Sequence, residues 1–217
     1  IQSSATASCT TASSSTTSSA TDGLDIVLLS IHGLVRSDNF QLGVDRDTGG
    51  QVKYVVELAR ALGQHPDIRK VTLVTRRLIG VHPDYAKETS PLSGRAEIRR
   101  IDVCGGKYMP KEELWGATLE DFSQGVARWL RTEDRFPHVL HGHYADAGQV
   151  GLRVKEIMEA EGHDIPLFFT GHSLGRTKQE QLIAERMASA VEKSSLSTII
   201  DDLDVKYSLT TRIAAEE

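Results

Sequence analysis

The strongest constraint on the fold of this chain is an alternation. Short runs rich in β-branched or aromatic residues, at 25–31, 71–75, 98–103, 138–143 and 165–170, are separated by stretches with helical spacing. After the first run, Val52, Val55, Val56, Ala59 and Leu62 recur on one side of a helix until Gly63 offers a stop. Leu114, Trp115, Leu119, Phe122, Val126, Trp129 and Leu130 form a second apolar side, both tryptophans reading as packing residues, and Val150, Val154, Ile157 and Met158 a third. Strand followed by helix, repeated, predicts an α/β fold: a doubly wound parallel sheet with helices on both faces. In such a sheet ligands bind beyond the carboxyl ends of the strands.

The remaining stretches are less regular. Residues 78–95 carry Gly80, Pro83, Pro91 and Gly94 and read as an irregular excursion. Residues 184–206 are weakly patterned, helical with an interruption around 194–198, and 210–217 read as the start of a helix. The first residues are almost wholly Ser, Thr and Ala, with too little apolar surface to offset ordering entropy. Residues 1–22 are therefore expected to be a disordered tail or linker, and 23–217 the folded domain. With no initiator Met, the chain is expected to be a piece of something longer.

Charge and composition exclude several classes. The net charge is −5 and no dense Lys/Arg run exists, which argues against a nucleic-acid partner. No apolar run approaches the roughly 20 residues of a membrane span. Cys9 and Cys104 stand far apart and make no disulfide framework, which points to a reducing, cytoplasmic setting.

The chemistry-bearing segments fall at predicted strand ends. In the stretch 45–54, Asp47 and Thr48 are N-cap residue types, so Gly49 and Gly50 fall at the first turn of a helix. Bare amides at a helix N-terminus, approachable because no Cβ intervenes, make an anion site. The acidic residues of the preceding loop, Asp38, Asp45 and Asp47, fit a site holding sugar hydroxyls together with a phosphate. Gly106-Lys107, His143-Tyr144-Ala145-Asp146 and Gly171-His172-Ser173 are the other polar loops expected at the same rim.

His141 and His143 share one strand face but no third metal ligand is evident, so no metal is expected. His172, flanked by Gly171 and Gly175, suits either a loop-capping or a catalytic role. Gly-His-Ser-Leu-Gly also matches a hydrolase nucleophile elbow, yet no histidine follows His172 to complete a triad. Lys107, Arg176, Lys178 and Arg212 lie near the predicted loops. A lysine just inside a helix start, as at Lys178, is unfavourable unless an anion joins it.

The runs 30–36, 45–62, 73–76, 107–115, 141–148, 169–175 and 212–217 resemble, in order, the N-terminal half of the glucosyltransferase region of the sucrose-phosphate synthases. The resemblance implies one Rossmann-like half of a GT-B glycosyltransferase that transfers glucose with retention, from UDP-glucose to fructose 6-phosphate. It implies an acceptor-holding domain, with the nucleotide-sugar domain outside this chain and no tightly bound cofactor, so that the chain alone is not expected to catalyse transfer. The full-length enzyme is a possible homo-oligomer. By position, Gly49, Gly50 and Gln51 resemble the loop between donor phosphate and acceptor, with Gly50 and His172 at the reaction centre. Lys107, Tyr144 and Lys178 resemble acceptor contacts, and Arg212 an arginine of the phosphate clamp. Thr211 stands where plant relatives usually carry a second arginine, and 184–206 match poorly. Sucrose synthase, which uses free fructose, and a non-catalytic sugar-phosphate module remain the alternatives.

Overall fold

The computed structural model describes residues 23–39, 47–133, 136–189 and 195–217. The Ser/Thr-rich tail, Cys9, Asp45 and Ser194, the first residue of the expected interruption, lie outside them. The elements are β1 (Leu24–Leu29), α1 (Gly50–Gln64), β2 (Ile68–Arg76), α2 (Pro83–Ala86), β3 (Thr89–Ser93) and β4 (Ala96–Ile101). They continue with α3 (Ala117–Leu130), β5 (Val139–His143), α4 (Ala145–Ala160), β6 (Leu167–Thr170), α5 (Gly175–Ser189), α6 (Leu196–Tyr207) and α7 (Leu209–Glu216).

The six strands form one sheet in the order β3-β4-β2-β1-β5-β6. All neighbouring pairs are parallel except β3 with β4. The stretch 78–95, expected to be irregular, therefore holds a short helix and an antiparallel edge strand. Pro91 is tolerated in that strand because an edge need not donate on both sides.

Strand β1 shows why both faces must be covered. Val27 and Leu29 point to one face and join α3 and α4 residues such as Phe122, Val126, Val150 and Val154. Leu28 points to the other and packs with Val52, Val55, Val56 and Ala59 of α1. This period-two division is what a two-sided sheet demands of its central strand. At roughly 1.5–3 kcal/mol for each fully buried aliphatic side chain, these two layers supply most of the driving force.

Three boundaries differ from expectation. Helix α1 runs to Gln64, with Gly63 inside its last turn, where an added Cβ would lie 2.7 Å from that of Ala96. Helix α3 begins at Ala117, so Leu114 and Trp115 belong to the turn before it. Helix α6 begins at Leu196, capped by the Ser195 hydroxyl, inside the expected interruption. Helix α7 packs against α4 and α5 and brings the last residues of the chain to the strand-end rim.

Candidate functional site

The carboxyl ends of β1, β4, β5 and β6 carry the loops that hold the chemistry-bearing residues. At the glycine loop, Gly49 is the N-cap of α1, and no side chain caps the helix. Asp47 and Thr48, both expected as caps, serve other partners. Thr48 Oγ1 accepts from Leu34 N at 3.1 Å. The Asp47 carboxylate accepts from Tyr108 Oη at 2.9 Å and Lys111 N at 3.2 Å and is ion-paired with the Lys111 ammonium. The side chains that would have closed the helix end thus bind neighbouring loops instead. Among the described residues, a Cβ built on Gly49 or Gly50 meets nothing within 4 Å, so none of them covers the amide end of α1 there. Gln51 turns inward, its Nε2 donating to Ser30 Oγ at 2.9 Å.

Next to the Asp47–Lys111 pair lies a narrow cleft, with little more room than a water molecule needs, lined by Lys111, Trp115, Tyr144, Asp146, Lys178 and Arg212, with Glu112 and Tyr207. Larger, more open hollows occur elsewhere, such as the one between α5 and α6, which shares Tyr207 with this one. Lys178 Nζ lies 4.7 Å from the Tyr207 ring centre, and the Arg212 guanidinium 4.2 Å from that of Tyr144. Burial, with Lys111 and Arg212 nearby, lowers the Lys178 pKa from its ordinary value. Burial also presses on Lys111, but hydrogen bonds from its ammonium to Asp47 and Glu112 outweigh it and raise its pKa. Lys111 is paired with Asp47 and Glu112, and Arg212 with Glu216, so the charge an anion would meet here is chiefly that of Lys178, held against the Tyr207 ring.

The structure gathers Lys178, Tyr144 and Arg212 at this hollow, whereas Gly49, Gly50 and Gln51 do not line it and are linked to it through the Asp47–Lys111 pair. Lys107 is exposed and does not line it; Lys111, one turn of loop further on, does. Sequence reasoning passed over Lys111 because a Lys-Glu-Glu run reads as solvated surface. Its pairing with Asp47, 64 positions away, has no local signature.

Arg212 is held from behind. Its Nε donates to Glu216 Oε1 at 2.8 Å, and its Nη2 donates to the carbonyl and hydroxyl oxygens of Ser173. Glu216 Oε2 also accepts from Gly175 N at 2.6 Å. Ser173 is therefore a partner of the arginine, in a loop fastened by α7.

A second cluster stands on the same rim. His143 Nδ1 lies 3.1 Å from His172 Nε2, and the His141 and His143 rings meet at a tilt, 4.1 Å apart. His141 Nε2 is 2.8 Å from Thr170 Oγ1, and Tyr54 of α1 meets the edge of His172 at 5.1 Å. Burial, then the neighbouring histidines, pushes the His143 pKa down to about 3. Burial, His32 and His141 lower that of His172 as well. Nearby, His32 Nδ1 pairs with buried Asp146 at 2.8 Å and meets the Tyr144 ring at 4.5 Å. Asp47, Tyr144 and His172 all hold positive φ, a conformation costly for non-glycine residues and concentrated at functional rims. Among the described residues, no group of three or more His, Cys, Asp or Glu is placed to hold a metal ion, and no helix is long and apolar enough to cross a membrane.

A mostly parallel sheet thus carries, at its strand ends, a helix N-terminus with no side-chain cap and a group of cationic side chains. Against the known families, residues 49–199 match the glycosyl transferase 4-like domain. The chain belongs to that family. Within this glycosyl transferase family the chain is 39% identical over 217 residues to sucrose-phosphate synthase 4 of Arabidopsis thaliana, covering 89% of this chain and 19% of that protein. It is 38% identical over 222 residues to the sucrose-phosphate synthase of Zea mays, with 89% and 19% covered. The chain thus spans about a fifth of the length of the curated relatives it matches. Among solved structures, sucrose-phosphate synthase from Thermosynechococcus elongatus superposes with a TM-score of 0.59 at 22% identity, covering 83% of this chain and 40% of that one. That likeness identifies the fold as one Rossmann-like half of a GT-B glycosyltransferase.

Proposed function

We propose that this glycosyl transferase domain holds the acceptor in a retaining glucosyl transfer from UDP-glucose to fructose 6-phosphate, giving sucrose 6-phosphate in the cytoplasm. The observation that carries the reading is the convergence of Lys111, Lys178 and Arg212 on one hollow with the Tyr144 ring. A dianionic phosphate group complements these donors, above all Lys178, which a neutral sugar leaves against the Tyr207 ring with no anion to pair with. The open amide end of α1 suits the donor side, where a departing diphosphate gains charge as the glycosidic bond to it breaks. Gly50 contributes a backbone amide there and His172 a ring at the strand-end rim beside it. Lys107, exposed beyond the hollow, is left to the approach path of the phosphate. The reading brings UDP-glucose as co-substrate and requires no resident cofactor.

Calorimetric titration of the 217-residue chain with fructose 6-phosphate, and separately with fructose, tests the acceptor half of this reading. Fructose 6-phosphate is expected to bind at least about tenfold more tightly, a difference of about 1.4 kcal/mol. Equal affinities would overturn the phosphate assignment and favour a transferase that takes the free sugar.

A further inference from the structure

His143 is completely buried, and nothing in the glycosyl-transfer reading uses it. Its ring has two nitrogens with different surroundings. Nδ1 faces His172 Nε2 at 3.1 Å, whereas Nε2 is buried without a hydrogen-bond partner among the described residues. A neutral imidazole carries one proton, so one of these two nitrogens must be bare. Placing the proton on Nε2 would bury an N–H with nothing to accept it, forfeiting a hydrogen bond the donor could otherwise make. Placing it on Nδ1 gives the proton an acceptor and leaves only a lone pair unsatisfied. The neutral tautomer of His143 is then Nδ1–H, and the hydrogen bond runs from His143 Nδ1 to His172 Nε2.

The consequence passes to the exposed ring. With its Nε2 occupied as an acceptor, neutral His172 must carry its own proton on Nδ1. Among the described residues nothing bonds to that nitrogen, and His172 is exposed at the rim. We infer that His143 is a positioning residue, which locks His172 as the Nδ1–H tautomer and aims a single N–H donor from the strand-end rim toward a sugar hydroxyl. Two ring contacts and a backbone conformation hold the pair: His141 tilted against His143, Tyr54 edge-on to His172, and the left-handed backbone of His172 with φ of 57°. The lock is notable because an unconstrained histidine in water favours the opposite tautomer, with its proton on Nε2.

The role assigned to the donor rests on the glycosyl-transfer reading, but the tautomer can be measured without any ligand. Long-range proton–nitrogen NMR spectra of the imidazole rings, recorded near pH 7.5 on the ligand-free chain, distinguish the two neutral forms. The expected result is the Nδ1–H pattern for both His143 and His172. An Nε2–H pattern at His172 in the unmodified chain overturns the inference, whatever the chain binds. In His143→Asn the amide nitrogen takes the place of Nδ1 and keeps a donor, so His172 should remain Nδ1–H. In His143→Leu it should move predominantly to Nε2–H, and persistence of the original pattern there would also overturn the lock. If the tautomers are as expected but fructose 6-phosphate and fructose bind alike, the acceptor reading fails and the lock stands.

Discussion

At the scale of single residues, charge and burial decide what each group can do. Lys178 contributes a cation whose nearest partner is an aromatic face, so it stays available to an incoming anion, whereas Lys111 is already bonded to Asp47. In the full-length enzyme, Lys178→Ala should therefore weaken fructose 6-phosphate binding about tenfold or more and leave UDP-glucose binding nearly unchanged, as read by calorimetry. Equal losses for both ligands would remove it from the phosphate contact. His143 gives a different kind of prediction. Its folded pKa of about 3 lies below the ordinary 6.5, so the unfolded chain gains a proton that the folded chain refuses. Above pH 6.5 the group has no effect on stability. As pH falls from 6.5 toward 3 it should cost up to about 1.4 kcal/mol per unit, with His141 and His172 acting in the same direction. Urea titrations at a series of pH values should show the decline, and His143→Asn should flatten it.

At the scale of elements, the loop between β6 and α5 is shaped by a helix that follows it. Glu216 of α7 bonds Arg212 and the first amide of α5, and both side chains are nearly inaccessible to water. Glu216→Ala leaves a buried guanidinium without its carboxylate and should cost about 3 kcal/mol in denaturant unfolding. Amide exchange at Gly175 should quicken in the same variant. A second element-scale constraint lies where β5 meets α4. A Cβ at Gly142 would lie 2.8 Å from the Ala147 carbonyl oxygen, which is backbone and cannot step aside. Gly142→Ala should destabilise by roughly 1–3 kcal/mol, measured the same way. Sequence patterns revealed these strands and helices where side chains advertise a period. They hid β3, because Thr-Ser-Pro-Leu-Ser offers a single large apolar residue and a proline, and only pairing with β4 makes it a strand. They misplaced the start of α3 because Leu114 is buried by the turn before the helix, not by the helix itself.

At the scale of the whole molecule, the two-sided sheet does one thing for function: it delivers loops from distant parts of the chain to one rim. The glycine loop, Tyr144, His172 and Lys178 were legible because each follows a recognisable strand or opens a helix. Lys111, Glu216 and the His143–His172 bond were not, because they depend on pairings between residues 29 to 64 positions apart or on the return of α7. Ligand binding should register globally. A sugar phosphate that binds only the folded chain raises its unfolding midpoint, by about 2.7 kcal/mol at a hundredfold excess over its dissociation constant. If a charged cluster is responsible, this gain should shrink between low and high salt, because screening weakens attraction between phosphate and cations. Thermal unfolding with fructose 6-phosphate at increasing sodium chloride checks it; a salt-independent shift would contradict an electrostatic clamp.

The dependence of Arg212 and Gly175 on Glu216 also has a meaning in time. During synthesis the sheet strands leave the ribosome first, and α7 emerges after all of them. A nascent chain would thus own the strands of its sheet while the edge that carries Arg212 and Gly175 is still slack, tightening only when the last turn of α7 closes over it.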